Sequence, residues 1–77
     1  MTITFSKSAK KSIDKLDSPT KQRIKNAIDR IPDGDIKRLQ GYISLYRLRV
    51  GNWRIMFSIL SQEIYIEDVL PRGSAYK

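Results

Sequence analysis

A chain of 77 residues with 15 Lys+Arg, 8 Asp+Glu, no cysteine and no histidine has room for a single domain, residues 1–77, and for few kinds of chemistry. The absent residues exclude a disulfide scaffold, a thiolate zinc site and a Cys nucleophile, and remove the commonest near-neutral acid–base group and metal ligand, so neither metal nor cofactor is expected. A formal charge of +7 points to a polyanionic or acidic partner, and a hydrophobic fraction of 40% suits a globular chain rather than a disordered one.

Residues 2–5 (Thr-Ile-Thr-Phe) are β-branched or aromatic and predict a short strand. Ser6 then caps a helix over about 7–16, with Phe5, Ala9, Ile13 and Leu16 on one face and Lys7, Lys10, Lys11 and Lys15 on the wet side. Asp17-Ser18-Pro19 ends that helix and starts another, with Ser18 as its cap and Pro19 at the first helical position. Ile24, Ala27, Ile28 and Ile31 follow at i, i+3, i+4 and i+7, and Pro32 and Gly34 close the segment. So short a connection predicts a helical hairpin.

Residues 36–42 have no clear period and read as a connector. Alternation then takes over. Leu45–Val50, the turn Gly51-Asn52 and Trp53–Leu60 predict a β-hairpin, and a second turn at Ser61-Gln62 leads into a last strand, Glu63–Leu70. The expected architecture is α+β of order β-α-α-β-β-β, the helical hairpin packed on one face of a small antiparallel sheet. No stretch approaches the length of a membrane span and the amino terminus carries no signal-peptide core, so the expected compartment is the cytoplasm.

The hairpin carries the most information. A two-residue turn sets Val50 opposite Trp53 and Arg49 opposite Arg54, with Leu48, Arg47 and Tyr46 facing Ile55, Met56 and Phe57. One face then holds Tyr46, Leu48, Val50, Trp53, Ile55 and Phe57, joined by Ile64 and Ile66; this is the core face. The other holds Arg47, Arg49 and Arg54. Like charges directly opposite one another destabilise a strand pair, so folding alone does not ask for this arrangement. Arg72, just past the last strand, adds a fourth guanidinium, and Glu67 is too little to neutralise them all. A rigid cluster of guanidinium groups is a preformed anion site, because the planar fork pairs with two phosphate oxygens and stays charged. The plainer account makes these arginines the solvated side of the sheet, with their stems covering apolar surface; the Arg49/Arg54 opposition counts against it.

The run Leu45-Tyr46-Arg47-Leu48-Arg49-Val50-Gly51-Asn52-Trp53-Arg54, followed by Pro71-Arg72-Gly73-Ser74-Ala75-Tyr76, resembles the RelE/ParE superfamily of toxins, and its RelE branch most. The resemblance implies the toxin of a type II toxin–antitoxin system: a metal-independent endoribonuclease that enters the ribosome and cuts mRNA by attack of a ribose 2′-OH on the adjacent phosphate. It implies three partners, a cognate antitoxin, the ribosome and mRNA. By position, Arg47 and Arg49 match the family's basic pair on the first hairpin strand, Arg54 the arginine after the turn, and Arg72 and Tyr76 the carboxyl-terminal arginine and tyrosine. Arg54 and Arg72 are assigned to the charge that builds on the phosphoryl and leaving oxygens, Arg47 and Arg49 to flanking phosphates, with Arg49 shared between binding and catalysis. Arginine stays protonated and is a poor base, so the base is sought in Tyr76, in Glu67 or on the ribosome, Tyr76 first. Two other readings share the residues: a ParE-like inhibitor of DNA gyrase without nuclease activity, and a nucleic-acid-binding module or inactive relative.

Overall fold

The computed structural model describes residues 2–39 and 45–73. Five strands and two helices follow one another as β1 (Thr2–Phe5), α1 (Lys7–Asp14), α2 (Ser18–Asp29), β2 (Asp35–Arg38), β3 (Leu45–Val50), β4 (Trp53–Leu60) and β5 (Glu63–Pro71). They form one sheet in the order β1-β5-β4-β3-β2. The helices pack on one of its faces, giving the α+β arrangement expected from the sequence.

Both helices start where their caps dictate. The Ser6 hydroxyl accepts from Ala9 N (3.0 Å) and donates to the Glu67 carbonyl (2.7 Å), fixing α1 to β5 as well as capping it. The cap of α2 is Asp17 rather than Ser18, because its longer carboxylate reaches both the hydroxyl (2.8 Å) and the N–H (3.1 Å) of Thr20. Pro19 therefore stands one residue further into the helix than the sequence predicts, where its missing N–H still costs nothing. The Thr20 hydroxyl, and then its backbone N–H, hold the Asp17 carboxyl below its ordinary value of 3.8. A lowered folded pKa contributes stability that is present above the unfolded value and is lost as pH falls through the folded one. Asp17→Asn is accordingly expected to flatten the acid limb of a plot of urea midpoint against pH; an unchanged slope contradicts this role for the cap.

The core lies between the helices and the sheet. Ala9 and Ile13 of α1, Ile24 and Ile28 of α2, and Ile31 meet Leu48, Val50, Ile55, Phe57, Ile64, Ile66 and Val69, with Phe5, Leu16, Ala27, Tyr46 and Trp53 packed around them. Both apolar helix stripes read from the sequence thus face inward. Phe57 is fully buried and stacks on Tyr46, ring centroids 5.5 Å apart.

The sheet departs from expectation in three places. The supposed connector contains β2, which pairs antiparallel with β3 from Asp35↔Arg49 to Arg38↔Tyr46; four residues with mixed charge carry too little alternation to announce an edge strand. The sheet is mixed rather than wholly antiparallel, since β1 runs parallel to β5, as a strand that reaches its partner after two helices and three other strands is free to do. Finally, β5 carries a bulge: Met56 faces Asp68 but Phe57 faces Ile66, leaving Glu67 as the extra residue. The bulge lets Val69 join Ile64 and Ile66 in the core despite its odd position.

Candidate nucleic-acid interface

The hairpin register is as the sequence requires. Val50 faces Trp53, Arg49 faces Arg54, Leu48 faces Ile55 and Arg47 faces Met56. Glycine suits the first turn position because Gly51 has φ +57, the left-handed region that a side chain would strain. Arg47, Arg49 and Arg54 therefore share the sheet face opposite the helices. Arg72 joins them at the turn, where its backbone N–H donates to the Asn52 carbonyl (2.8 Å). Tyr76 lies outside the described residues.

These four arginines stand in different surroundings. Arg54 is 6% exposed and donates from Nη1 to the carbonyls of Gly51 (2.9 Å) and Trp53 (3.0 Å). Its guanidinium is clamped to the turn by neutral acceptors, and no carboxylate among the described residues pairs with it. Arg47 is 9% exposed, and its Nε is buried without a hydrogen-bond partner among the described residues. Arg49 and Arg72 are exposed.

Sequence reasoning missed Asp35. Because β2 exists, Asp35 sits directly across from Arg49. Its carboxylate lies 3.8 Å from Arg47 Nη2 and 3.8 Å from Arg49 Nε. The expected uncompensated cluster is thus partly compensated: one carboxylate is shared by two guanidinium groups, at distances too long for direct hydrogen bonds. That half-exposed pairing is weak and easily displaced by a phosphate, which offers each arginine a shorter, bidentate partner.

The other two nearby acids are turned away by the bulge. The Glu67 carboxylate accepts from the Ser58 hydroxyl (3.2 Å), toward the far end of the sheet face. The Asp68 carboxylate is held by the Ser8 hydroxyl of α1 (3.2 Å) and by Val69 N (3.0 Å). The face is consequently polar along its length. Arginines gather at the Gly51-Asn52 end, while Glu63 and Glu67 flank Tyr65 and the exposed Leu60 at the other. A signal for the bulge was present in the sequence, since the apolar positions slip from Ile64 and Ile66 to Val69.

Comparison with known proteins identifies relatives that match nearly the whole chain. A family model described as the ParE toxin of the type II toxin–antitoxin system parDE matches residues 3–76. Toxin RelE3 of Methanocaldococcus jannaschii is 32% identical over 84 residues, covering 99% of this chain and 96% of the relative. Among solved structures, a chain of the RelB–RelE antitoxin–toxin complex from Methanococcus jannaschii superposes with a TM-score of 0.80 at 31% identity, covering 95% of this chain and 94% of that one. A chain of the archaeal RelE–RelB complex from Pyrococcus horikoshii OT3 gives 0.76 at 25% identity, covering 96% and 97%. The isolated Escherichia coli RelE toxin, at 16% identity and 0.76, shares the fold.

Proposed function

The chain belongs to the RelE/ParE superfamily of type II toxin–antitoxin toxins, and from that premise we propose that it is a ribosome-dependent endoribonuclease that cuts translated mRNA and is held inactive by a cognate antitoxin. The observation that carries this reading is the Arg49–Arg54 opposition at the turn, with Arg54 buried, clamped by two carbonyls and unpaired with any described carboxylate. Burial strengthens its field, and the clamp means that little reorganisation accompanies the reaction.

In the proposed reaction the ribose 2′-OH attacks the adjacent phosphorus. The P–O5′ bond breaks, and the upstream fragment keeps a 2′,3′-cyclic phosphate. The 2′-OH proton leaves to a base and the 5′ oxygen takes one up. Arg54 and Arg72 stabilise charge on the phosphoryl and leaving oxygens. Arg47 and Arg49 exchange Asp35 for flanking phosphates. Tyr76 is assigned as the base; Glu67, bonded to Ser58 beyond the bulge, is the weaker candidate. So sparse a site relies on the ribosome to align the message, since positioning alone supplies several kcal/mol.

The RelB–RelE complexes among the structural relatives support a cognate antitoxin, whose acidic groups would cover the arginines. The family model's ParE description favours the second reading, gyrase inhibition without cleavage. Induction of this chain without a partner separates the two. The nuclease reading predicts that amino-acid incorporation stops before DNA synthesis and that new mRNA 5′ ends fall within translated frames. Arrested replication with intact messages supports gyrase inhibition instead.

A further inference from the structure

Both ion pairs among the described residues are made by one carboxylate, and it stands on the arginine face. Its place follows from backbone pairing. Asp35 opens β2 and faces Arg49 across the β2–β3 ladder, as Lys37 faces Arg47, so its side chain falls on the same side of the sheet as theirs. An acid across from Arg49 offsets part of the repulsion between Arg49 and Arg54, which is a sufficient structural use for one contact. It does not account for the second contact. The carboxylate also lies 3.8 Å from Arg47 Nη2, on a side chain that is 11% exposed where that of Arg49 is 55% exposed.

The two contacts use different atoms. Asp35 Oδ1 is toward Arg47 and Oδ2 toward Arg49, each at 3.8 Å. One oxygen directed at each guanidinium is the arrangement that the two non-bridging oxygens of a phosphodiester would take between the same groups. The carboxylate therefore occupies the point from which a phosphate would bridge Arg47 and Arg49. It holds that point loosely, since its side chain is 57% exposed and both distances exceed hydrogen-bond length. Such a group is a competitor for the arginines and not a block.

We propose that Asp35 is a specificity-determining residue: an internal phosphate mimic that occupies the Arg47–Arg49 site and sets the RNA affinity of the face. Free RNA has to displace it at its own solution concentration. Message held on the ribosome arrives at a high effective concentration and displaces it readily. The carboxylate thus keeps the chain off free transcripts and lets it act where RNA is presented. The assignment rests on the reading above in one respect, that this face holds RNA phosphates.

The test is the binding of a short 2′-O-methyl RNA, which has no free 2′-OH and cannot be cut, to the full-length chain by fluorescence anisotropy. Asp35→Asn should tighten binding about three- to tenfold. It should also steepen the fall of log K with log salt by about 0.7, the slope expected of one further uncompensated cation. Asp14→Asn removes the same charge from the exposed end of α1. It should change affinity by less than about twofold and leave the slope alone, because the charge is distant and screened. In a chain carrying Arg47→Gln and Arg49→Gln the gain from Asp35→Asn should vanish, since the carboxylate acts through those two groups. Should Asp35→Asn unfold, Asp35→Thr suits a strand and serves in its place. An equal gain from Asp14→Asn reduces the effect to net charge and overturns the proposal. So does a gain that survives loss of both arginines, or an affinity that loss of the carboxylate leaves unmoved. Translated message cut by the parent, with no affinity gained on removing Asp35, removes the mimic and leaves the nuclease reading. An arginine-dependent gain with message left whole on the ribosome removes the nuclease reading and leaves Asp35 in control of RNA binding.

Discussion

Arg54→Ala is expected to lower the rate of RNA cleavage at saturating substrate by about 10²–10³-fold while leaving the domain folded, the loss typical of removing one preorganised donor from a developing oxyanion. The prediction follows from how this side chain is held. Its Nη1 is engaged by the carbonyls of Gly51 and Trp53 at 2.9 and 3.0 Å, so the guanidinium stays in place before any RNA arrives. Those acceptors are neutral, so the positive charge is undiminished. Truncation removes the charge and leaves the hairpin register, which rests on the β3–β4 backbone pairing, intact. The Gly51 carbonyl lies at an exposed turn and can turn to water. Arg54→Lys keeps the charge but loses the fork, and should recover only part of the rate. Single-turnover kinetics with ribosome-bound message, beside urea melts of both variants, check the prediction. A defect confined to binding, or a fall in stability large enough to explain the loss, contradicts the assigned role.

Phe57→Ala should act by the opposite route. The ring is fully buried at the centre of the core and stacks on Tyr46. Removing a buried phenyl group costs about 3–5 kcal/mol. At about 0.05–0.15 kcal/mol per residue, a chain of 77 residues has roughly 4–12 kcal/mol in all. The substitution is therefore expected to remove about a quarter or more of the stability and to populate the unfolded state near growth temperature. Activity should fall with the folded fraction and return on cooling or with a stabilising partner, which Arg54→Ala should not show. A urea midpoint near the parent value contradicts the placement of Phe57 at the centre of the core.

The parts of the fold that follow from short-range rules were legible. The two-residue turn fixed the hairpin register, and with it the sides on which Arg47, Arg49 and Arg54 fall, because side chains alternate with period two. The helix stripes followed from their spacing. What stayed hidden depends on partners distant in the chain. Asp35–Arg38 has no pattern of its own and becomes a strand only because β3 offers an unpaired edge. Asp35 therefore could not be placed beside Arg49, and the cluster looked freer of carboxylates than it is. Likewise, Glu67 and Asp68 are turned apart by a bulge at Glu67 whose trace in the sequence is one slipped apolar position.

The central claim is that this arginine face cuts RNA through the neighbouring ribose hydroxyl, and the chemistry of the new ends tests it most directly. Purified chain added to ribosomes paused on a defined message should release an upstream fragment ending in a 2′,3′-cyclic phosphate and a downstream fragment beginning with a 5′-hydroxyl. The same message without ribosomes should remain whole. A 5′-phosphate on the downstream fragment, or a message left uncut on the ribosome by the folded parent chain, contradicts the account.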